Sequence, residues 1–167
     1  MILDEICAHK RTEVDAAKAK RSKRTLENAA AEAPAPRDFR AALRKEGISL
    51  IAEIKRASPT KGVFLDSVNV VDLATLYEMS GARALSILTD EKYFRGTLED
   101  LVSIRKNVEI PCLRKEFVID DYQIYESRAA GADAILLIVR ILSDEQLRDY
   151  LQLARSLGMA VLVETHD

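Results

Sequence analysis

The sequence predicts an α/β fold in which parallel strands alternate with helices. Buried strands are predicted for five short segments rich in Ile, Leu or Val, at residues 50–55, 84–88, 111–115, 134–139 and 160–164. These segments begin 23 to 34 residues apart, so each gap has room for one helix. Amphipathic stretches fill the gaps, at residues 70–80, 97–106, 120–130 and 143–157. The repeating unit is therefore a strand followed by a helix, which is typical of a parallel sheet.

The first predicted strand carries charged residues where apolar ones are expected. Glu53 and Lys55 lie two residues apart in the segment LIAEIKRASPTKG, so a strand projects both side chains to the same side. Charged groups seldom enter a core unless they are paired or used for function. Two interpretations follow: a structural Glu–Lys pair at a sheet edge, or catalytic groups at the carboxyl end of the strand.

The predicted helices end at recognisable signals. The last one begins with a capping signature, since Gln146 follows the candidate N-cap Ser143 by three residues, and it ends at Gly158. Gly81 and Gly131 occupy the same place in earlier units, between a helix and the next strand. We expect these glycines to terminate helices, with no role in ligand binding.

Parallel strands joined by helices allow an open doubly wound sheet or a closed barrel. No G-x-G-x-x-G fingerprint follows the first strand, where an open nucleotide-binding sheet would place its glycines. Lys115 and Glu164 end the third and fifth strands, as Glu53 and Lys55 end the first. Barrel enzymes build their sites from the carboxyl ends of different strands, so the distribution favours a barrel.

Composition limits the functions that the chain can have. Its 167 residues are 48% hydrophobic and 31% charged, which suits one globular core. The 25 basic and 27 acidic residues nearly cancel, so neither nucleic acid nor an anionic membrane is a predicted partner. No apolar run reaches the roughly 20 residues of a membrane span, and acids occur where a signal peptide would be basic. We expect a cytoplasmic protein.

The candidate metal ligands match no known spacing. Cys7 and Cys112 lie far apart in sequence and are predicted to be reduced, structural thiols. His9 and His166 are equally unsupported as a metal pair. No metal site is therefore predicted.

Five segments of the chain, in order, resemble one enzyme family. They are the LIAEIKRASPTKG segment with Glu53, Lys55, Ser58 and Pro59; ALSILTD followed by FRG at 84–96; PCLRKEF at 111–117; DAILLI at 133–138; and LVETHD at 162–167. Together they resemble the indole-3-glycerol phosphate synthase family of tryptophan biosynthesis. The resemblance covers the whole chain, and five linked segments are more specific than any one of them.

The resemblance implies a TIM (β/α)8 barrel preceded by a helical extension. Residues 1–45 fit the extension, with Leu3, Ile6, Lys10, Val14 and Ala17 on one face of a first helix, a Pro-rich break at 32–36 and a second helix at 38–45. The basic cluster at 18–24 is assigned to the first helix as a solvated face. Residues 46–167 correspond to (β/α)4 plus a fifth strand, whereas a full barrel needs about 250 residues. We therefore expect a truncated sequence whose fifth-strand edge favours self-association.

The family's reaction converts 1-(2-carboxyphenylamino)-1-deoxyribulose 5-phosphate to indole-3-glycerol phosphate with loss of carbon dioxide and water, without metal or organic cofactor. By resemblance, the catalytic groups are Lys115 as general acid, Glu164 as acid or base, Lys55 as carboxylate contact or dehydration assistant, and Glu53 as the group that tunes the lysines. Substrate-binding roles fall to Ser58, Phe94 and Phe117. Arg56, Lys61 and Arg114 are expected to be surface or ion-pair residues.

Two alternative functions remain open. A Schiff-base aldolase of phosphorylated sugars could use Lys115 as its nucleophile, although Glu53 and the Ser58-Pro59 pair then lack a role. A non-catalytic barrel fragment would act only with a complementing chain. The resemblance leaves the family's phosphate-binding loops without counterparts here, so it predicts the family and not activity of the chain by itself.

Overall fold

Five parallel strands form the main sheet of the computed structural model, which describes residues 2–64 and 67–165. The strands are β1 Ile51–Ile54, β4 Ala84–Leu88, β5 Cys112–Lys115, β6 Ala134–Ile138 and β7 Ala160–Glu164, and a separate antiparallel hairpin contains β2 Ala57–Ser58 and β3 Gly62–Val63. The sheet order β1-β4-β5-β6-β7 follows the chain, and neighbouring strands are parallel. A doubly wound sheet reverses direction at a switch point. The sequential order confirms the predicted barrel-type α/β fold.

Helices cross over between consecutive strands and precede the first one. Their bounds are α1 Ile2–Lys20, α2 Lys23–Glu32, α3 Phe39–Leu43, α4 Val70–Met79, α5 Glu91–Phe94, α6 Leu98–Asn107, α7 Asp121–Ala129 and α8 Asp144–Ser156, with a 3-10 turn at Val139–Ile141. The predicted starts Thr97, Asp120 and Ser143 are the N-caps of α6, α7 and α8, each with a capping box. In the part of the chain that is described, no helix is long and apolar enough to span a membrane.

The basic cluster at 18–24 does not lie on a single helix, so that prediction is wrong. Helix α1 ends at Lys20, and Ser22 starts α2 by accepting a hydrogen bond from the Thr25 amide at 3.2 Å. Serine favours the N-cap because its side-chain oxygen satisfies an amide that the helix leaves unpaired. Lys18 and Lys23 form ion pairs with Asp120 and Asp121, at 2.6 and 2.5 Å.

The core has two layers separated by the sheet. Between the sheet and the crossover helices lie fully buried side chains, including Leu85, Ile87, Leu101, Ile104, Ile124, Ile135 and Leu137. On the inner side, Phe39 of α3 packs with Ala84 and Ala134, which are the first residues of their strands. The extension therefore closes the amino-terminal end of the sheet with α3.

The rest of the extension lies against the opposite side of the structure. Val14 of α1 and Leu26 of α2 form a small core with Tyr122 of α7. The Tyr122 hydroxyl shares its one proton between the carbonyls of Ala17 and Arg21, at 3.1 and 2.9 Å. These contacts join the break between α1 and α2 to a crossover helix far along the chain.

Candidate active site

All four predicted catalytic side chains lie at the carboxyl ends of the parallel strands. Glu53 and Lys55 come from the end of β1, Lys115 is the last residue of β5, and Glu164 is the last residue of β7. In the strand register, Lys115 is level with Leu88 and Glu164 with Ile138. Strand alternation and the common edge therefore bring together residues that are distant in sequence.

Glu53 bridges two lysines. One oxygen of its carboxylate, Oε2, accepts a hydrogen bond from Lys115 Nζ at 2.8 Å, and the other, Oε1, lies 3.1 Å from Lys55 Nζ. The side chains are partly exposed, between 32% and 36%. The local Glu53–Lys55 pair seen in the sequence is thus part of a three-residue group that includes a lysine from another strand.

The two lysines set the charge of Glu53. Partial burial raises the pKa of the Glu53 carboxyl, but the hydrogen bonds and positive charges of Lys115 and Lys55 together lower it by more. The net pKa lies below its usual value of 4.5. Glu53 is therefore ionised at neutral pH and holds both ammonium groups in place.

A cavity of about 200 Å³ opens beside this group. Its walls are Glu53, Lys55, Leu88, Phe94, Lys115, Glu116, Phe117, Leu136, Ile138 and Glu164. The rings of Phe94 and Phe117 lie 6.0 Å apart between centroids, with an interplanar angle of 35°. Apolar and aromatic walls next to a few convergent charges suit a planar aromatic ligand that carries a carboxylate.

Ser58 lies on a hairpin that contacts α5, near the other predicted site residues but outside the lining of the cavity. It belongs to the β2–β3 hairpin, and its Oγ accepts a hydrogen bond from the Lys61 amide at 3.2 Å. Within residues 2–64 and 67–165, the lining of the cavity does not include it. The hairpin borders the site through Phe64, whose ring centroid lies 5.7 Å from Lys55 Nζ.

The arginines near the site form ion pairs. Arg56 binds the carboxylate of Asp100, with one bond at 2.9 Å, and also donates to the Arg95 carbonyl. Arg114 is only 4% exposed and pairs with Glu126 at 2.9 Å, so it is an ion-pair residue but not a surface one. Lys61 is exposed.

The structure adds Glu116 and Lys10 to the neighbourhood of the site. Glu116 lines the cavity and is 2% exposed, and Lys10 of α1 is 4% exposed and contacts it. Sequence reasoning placed Lys10 on the apolar face of its helix without giving it a function. A lysine on an apolar helix face indicates a buried ion pair, because lysine is rarely buried unless it is paired.

Groups of three or more His, Cys, Asp or Glu side chains placed to hold a metal ion do not occur in residues 2–64 and 67–165. His166 lies outside the described residues, as do Met1, Leu65, Asp66 and Asp167.

Comparison with known proteins gives a consistent family. A family profile described as "Indole-3-glycerol phosphate synthase" matches residues 3–167. The protein of that name from Chloroherpeton thalassium is 49% identical over 98% of this chain, and the one from Chlorobaculum tepidum is 48% identical over 99%. The chain spans 65% of the length of each of these relatives.

Among solved structures, a mandelate oxidase mutant aligns with 83% of this chain and 44% of its own, with a TM-score of 0.55. At 17% sequence identity, this likeness concerns the fold alone.

Proposed function

Because the chain belongs to the indole-3-glycerol phosphate synthase family, we propose that it contributes the acid–base groups of the carboxy-lyase reaction that closes the indole ring in tryptophan biosynthesis. The substrate is 1-(2-carboxyphenylamino)-1-deoxyribulose 5-phosphate, and the products are indole-3-glycerol phosphate, carbon dioxide and water. The observation that supports the proposal best is the Lys55–Glu53–Lys115 group beside a cavity with aromatic walls.

Ring closure needs an acid that protonates the ketone while the aromatic carbon attacks it. Lys115 is the proposed acid, since its ammonium group lies at the cavity and is held by Glu53 at 2.8 Å. Lys55, 3.1 Å from the other Glu53 oxygen, is the proposed partner of the substrate carboxylate and assists dehydration. Glu53 positions both cations, because each of its two carboxylate oxygens contacts one of them.

The later steps remove a hydroxyl group and a proton, which needs an acid and a base. Glu164 is proposed as the acid or the base of these steps, because it lines the cavity from β7. Phe94 and Phe117 are proposed to contact the anthranilate ring through their faces and edges. Ser58 is proposed to bind substrate with its hydroxyl proton, which its role as an acceptor for the Lys61 amide leaves available.

The wider proposals follow from family and composition. The partner is a phosphorylated small molecule, the location is the cytoplasm, and residues 1–45 form an extension to a barrel portion at 46–167. Self-association is proposed through β7, which pairs only with β6 in the described part of the chain and leaves Leu162 and Val163 each 40% exposed. Sedimentation velocity over a range of concentrations tests it, and a monomer throughout would contradict it.

The proposed reaction is tested by measuring the formation of indole-3-glycerol phosphate through its indole fluorescence. The chain is assayed alone and mixed with a separately produced carboxyl-terminal segment of a relative. We expect activity in the mixture and its loss in Lys115→Met and Glu164→Gln, whereas Lys106→Met, an exposed lysine on α6, serves as the matched control. A folded mixture without activity would contradict the proposal.

The aldolase alternative is less consistent with the geometry. A Schiff-base nucleophile must be a neutral amine, whereas the contact of Lys115 with Glu53 is an ion pair. Borohydride treatment in the presence of a carbonyl substrate separates the two functions. We expect no covalent adduct on Lys115, and an adduct would favour the aldolase.

A further inference from the structure

The ammonium group of Lys10 lies in a buried cluster of carboxylates. Lys10 belongs to α1, and its Nζ is 2.8 Å from Asp90 Oδ2 and 3.1 Å from Glu116 Oε1. Asp90 is fully buried, and Glu116 is 2% exposed. Glu13, one turn along α1, adds a third carboxylate at 2.5 Å.

The balance of forces on Lys10 keeps it charged. Burial lowers the pKa of its ammonium group, but the negative charge of Glu116 and the contacts with Asp90 and Glu13 raise the pKa by more. The net pKa is above its usual value. A buried lysine is thus a stable cation here because its partners are carboxylates: Glu13 on its own helix, and Asp90 and Glu116 just after the ends of β4 and β5.

Each of the strand-end carboxylates also holds the backbone beside an aromatic wall of the cavity. Asp90 Oδ1 accepts a hydrogen bond from the Tyr93 amide at 2.8 Å and caps α5, whose last residue is Phe94. Glu116 Oε1 accepts one from the amide of Phe117 at 2.8 Å. Lys10 therefore contacts both of the carboxylates that hold the backbone next to these two rings.

We propose that Lys10 is a positioning residue that sets the separation of Phe94 and Phe117, and with it the width of the aromatic slot. Oxygens of Asp90 and Glu116 are no more than about 6 Å apart because both contact the same nitrogen. Arg114 and the Thr89 hydroxyl also contact Glu116, at 3.7 and 2.8 Å, but through its other oxygen, Oε2. Lys10 is therefore the cation that both carboxylates share, and without it they repel each other. Removal of the cation drives the two strand ends apart. That the slot holds an anthranilate ring rests on the proposed function; the positioning of the rings does not.

A purely structural role for Lys10, as an anchor for α1, predicts different effects. Loss of an anchor loosens the extension and affects every side chain that it covers. Loss of a positioning residue changes the surroundings of Phe94 and Phe117 while the distant ring of Phe39 keeps its own. The four phenylalanines of the chain, at 39, 64, 94 and 117, allow the two roles to be separated.

Fluorine NMR of protein labelled with 4-fluorophenylalanine provides the test. In Lys10→Met, we expect the Phe94 and Phe117 signals to move by more than a linewidth and those of Phe39 and Phe64 to stay in place. The control is Lys18→Met, which removes an exposed ion pair from the same helix and should move none of them. Unchanged Phe94 and Phe117 signals in a folded variant would overturn the proposal, as would equal movement of all four.

A second variant decides the matter if Lys10→Met does not fold. Lys10→Met combined with Asp90→Asn removes the cation together with one of the two charges that repel, and it keeps the oxygen that caps α5. The double variant should therefore fold, and its Phe117 signal should stay within a linewidth of its position in the unaltered chain. Failure to fold, or movement of the Phe117 signal by more than a linewidth, would overturn the proposal. A titration with anthranilate on the same samples should show at least a tenfold weaker Kd in Lys10→Met than in Lys18→Met.

The NMR readout needs no turnover. If the unaltered chain neither binds anthranilate nor forms product, the proposed function fails while the positioning result stands. If anthranilate binds equally well to all variants whose Phe signals move, the link between slot width and ligand is wrong.

Discussion

Among the glycines of the chain, Gly96 is the one whose replacement by alanine should lower the free energy of unfolding most, because its Cβ would meet the backbone at the shortest distance. A Cβ at this position would lie 2.0 Å from the carbonyl oxygen of Leu88 and 2.6 Å from its carbonyl carbon. Leu88 is the last residue of β4, and Gly96 follows Phe94 by two residues. The conflict is between backbone atoms, so no rotamer change relieves it.

The magnitude follows from the required displacement. Ordinary carbon–oxygen contacts are about 3.3 Å, so the two backbone segments must separate by about 1 Å. Overpacking of this kind costs about 3 kcal/mol, and the smaller entropy of the unfolded Ala chain offsets less than about 1 kcal/mol. At about 2–4 °C per kcal/mol for a chain of this size, the Tm should fall by about 5–10 °C.

Gly81→Ala is the matched control. Gly81 has a φ of 94°, which an L-residue rarely adopts, but a Cβ there meets nothing within 4 Å. Its cost is conformational only, about 1–2 kcal/mol. Urea unfolding followed by circular dichroism gives both free energies. The steric reasoning is refuted if Gly96→Ala is no less stable than Gly81→Ala.

Three further substitutions or modifications have defined outcomes. Glu53→Gln should lower the free energy of unfolding by only about 1 kcal/mol at pH 7, because partly exposed ion pairs contribute little. The pKa of Glu53 is lower in the folded chain than its usual value of 4.5, so the ion pairs stabilise the fold above pH 4.5 and this stabilisation is lost as the pH falls below it. The urea midpoints of the variant and the unaltered chain should therefore converge in acid. Tyr122→Phe removes the hydroxyl that donates to two carbonyls near the end of α1. The free energy of unfolding, measured by thermal denaturation, should fall by about 1–2 kcal/mol, and by more than it does in Tyr77→Phe on α4. Cys112 is fully buried, and burial raises the pKa of its thiol to about 12, so a thiol reagent at pH 8 should label it only after unfolding. Peptide mass spectrometry distinguishes Cys112 from Cys7, the other free cysteine, and rapid labelling of Cys112 in the folded chain would contradict this burial.

The parts of the fold that could be predicted depend on short-range patterns. The Ser143–Gln146 capping box needs only four residues to be recognised, and it starts α8 as expected. Strand alternation and the common carboxyl edge likewise placed Lys115 and Glu53 together, although they are 62 residues apart. The roles assigned to these side chains rest on the family and stay proposals.

The parts that could not be predicted depend on contacts across the chain. Lys10 is a helix residue whose burial follows from Asp90 and Glu116, and neither partner is visible in its local sequence. The interruption between α1 and α2 is stabilised by Tyr122, which donates to carbonyls 101 and 105 residues earlier. The β2–β3 hairpin has strands of two residues each, too short for an alternating pattern to form.

The contact of α2 with α7 has a consequence for the synthesis of the chain. Lys23 and Asp121, which join these helices, are 98 residues apart. At about 5–20 residues per second, a ribosome needs roughly 5–20 s to deliver that length. Leu26, 1% exposed in the folded chain, and Val14 lack their partner Tyr122 during this time. The apolar faces of α1 and α2 are thus made well before the helix that covers them, and they lack this cover until α7 has been synthesised.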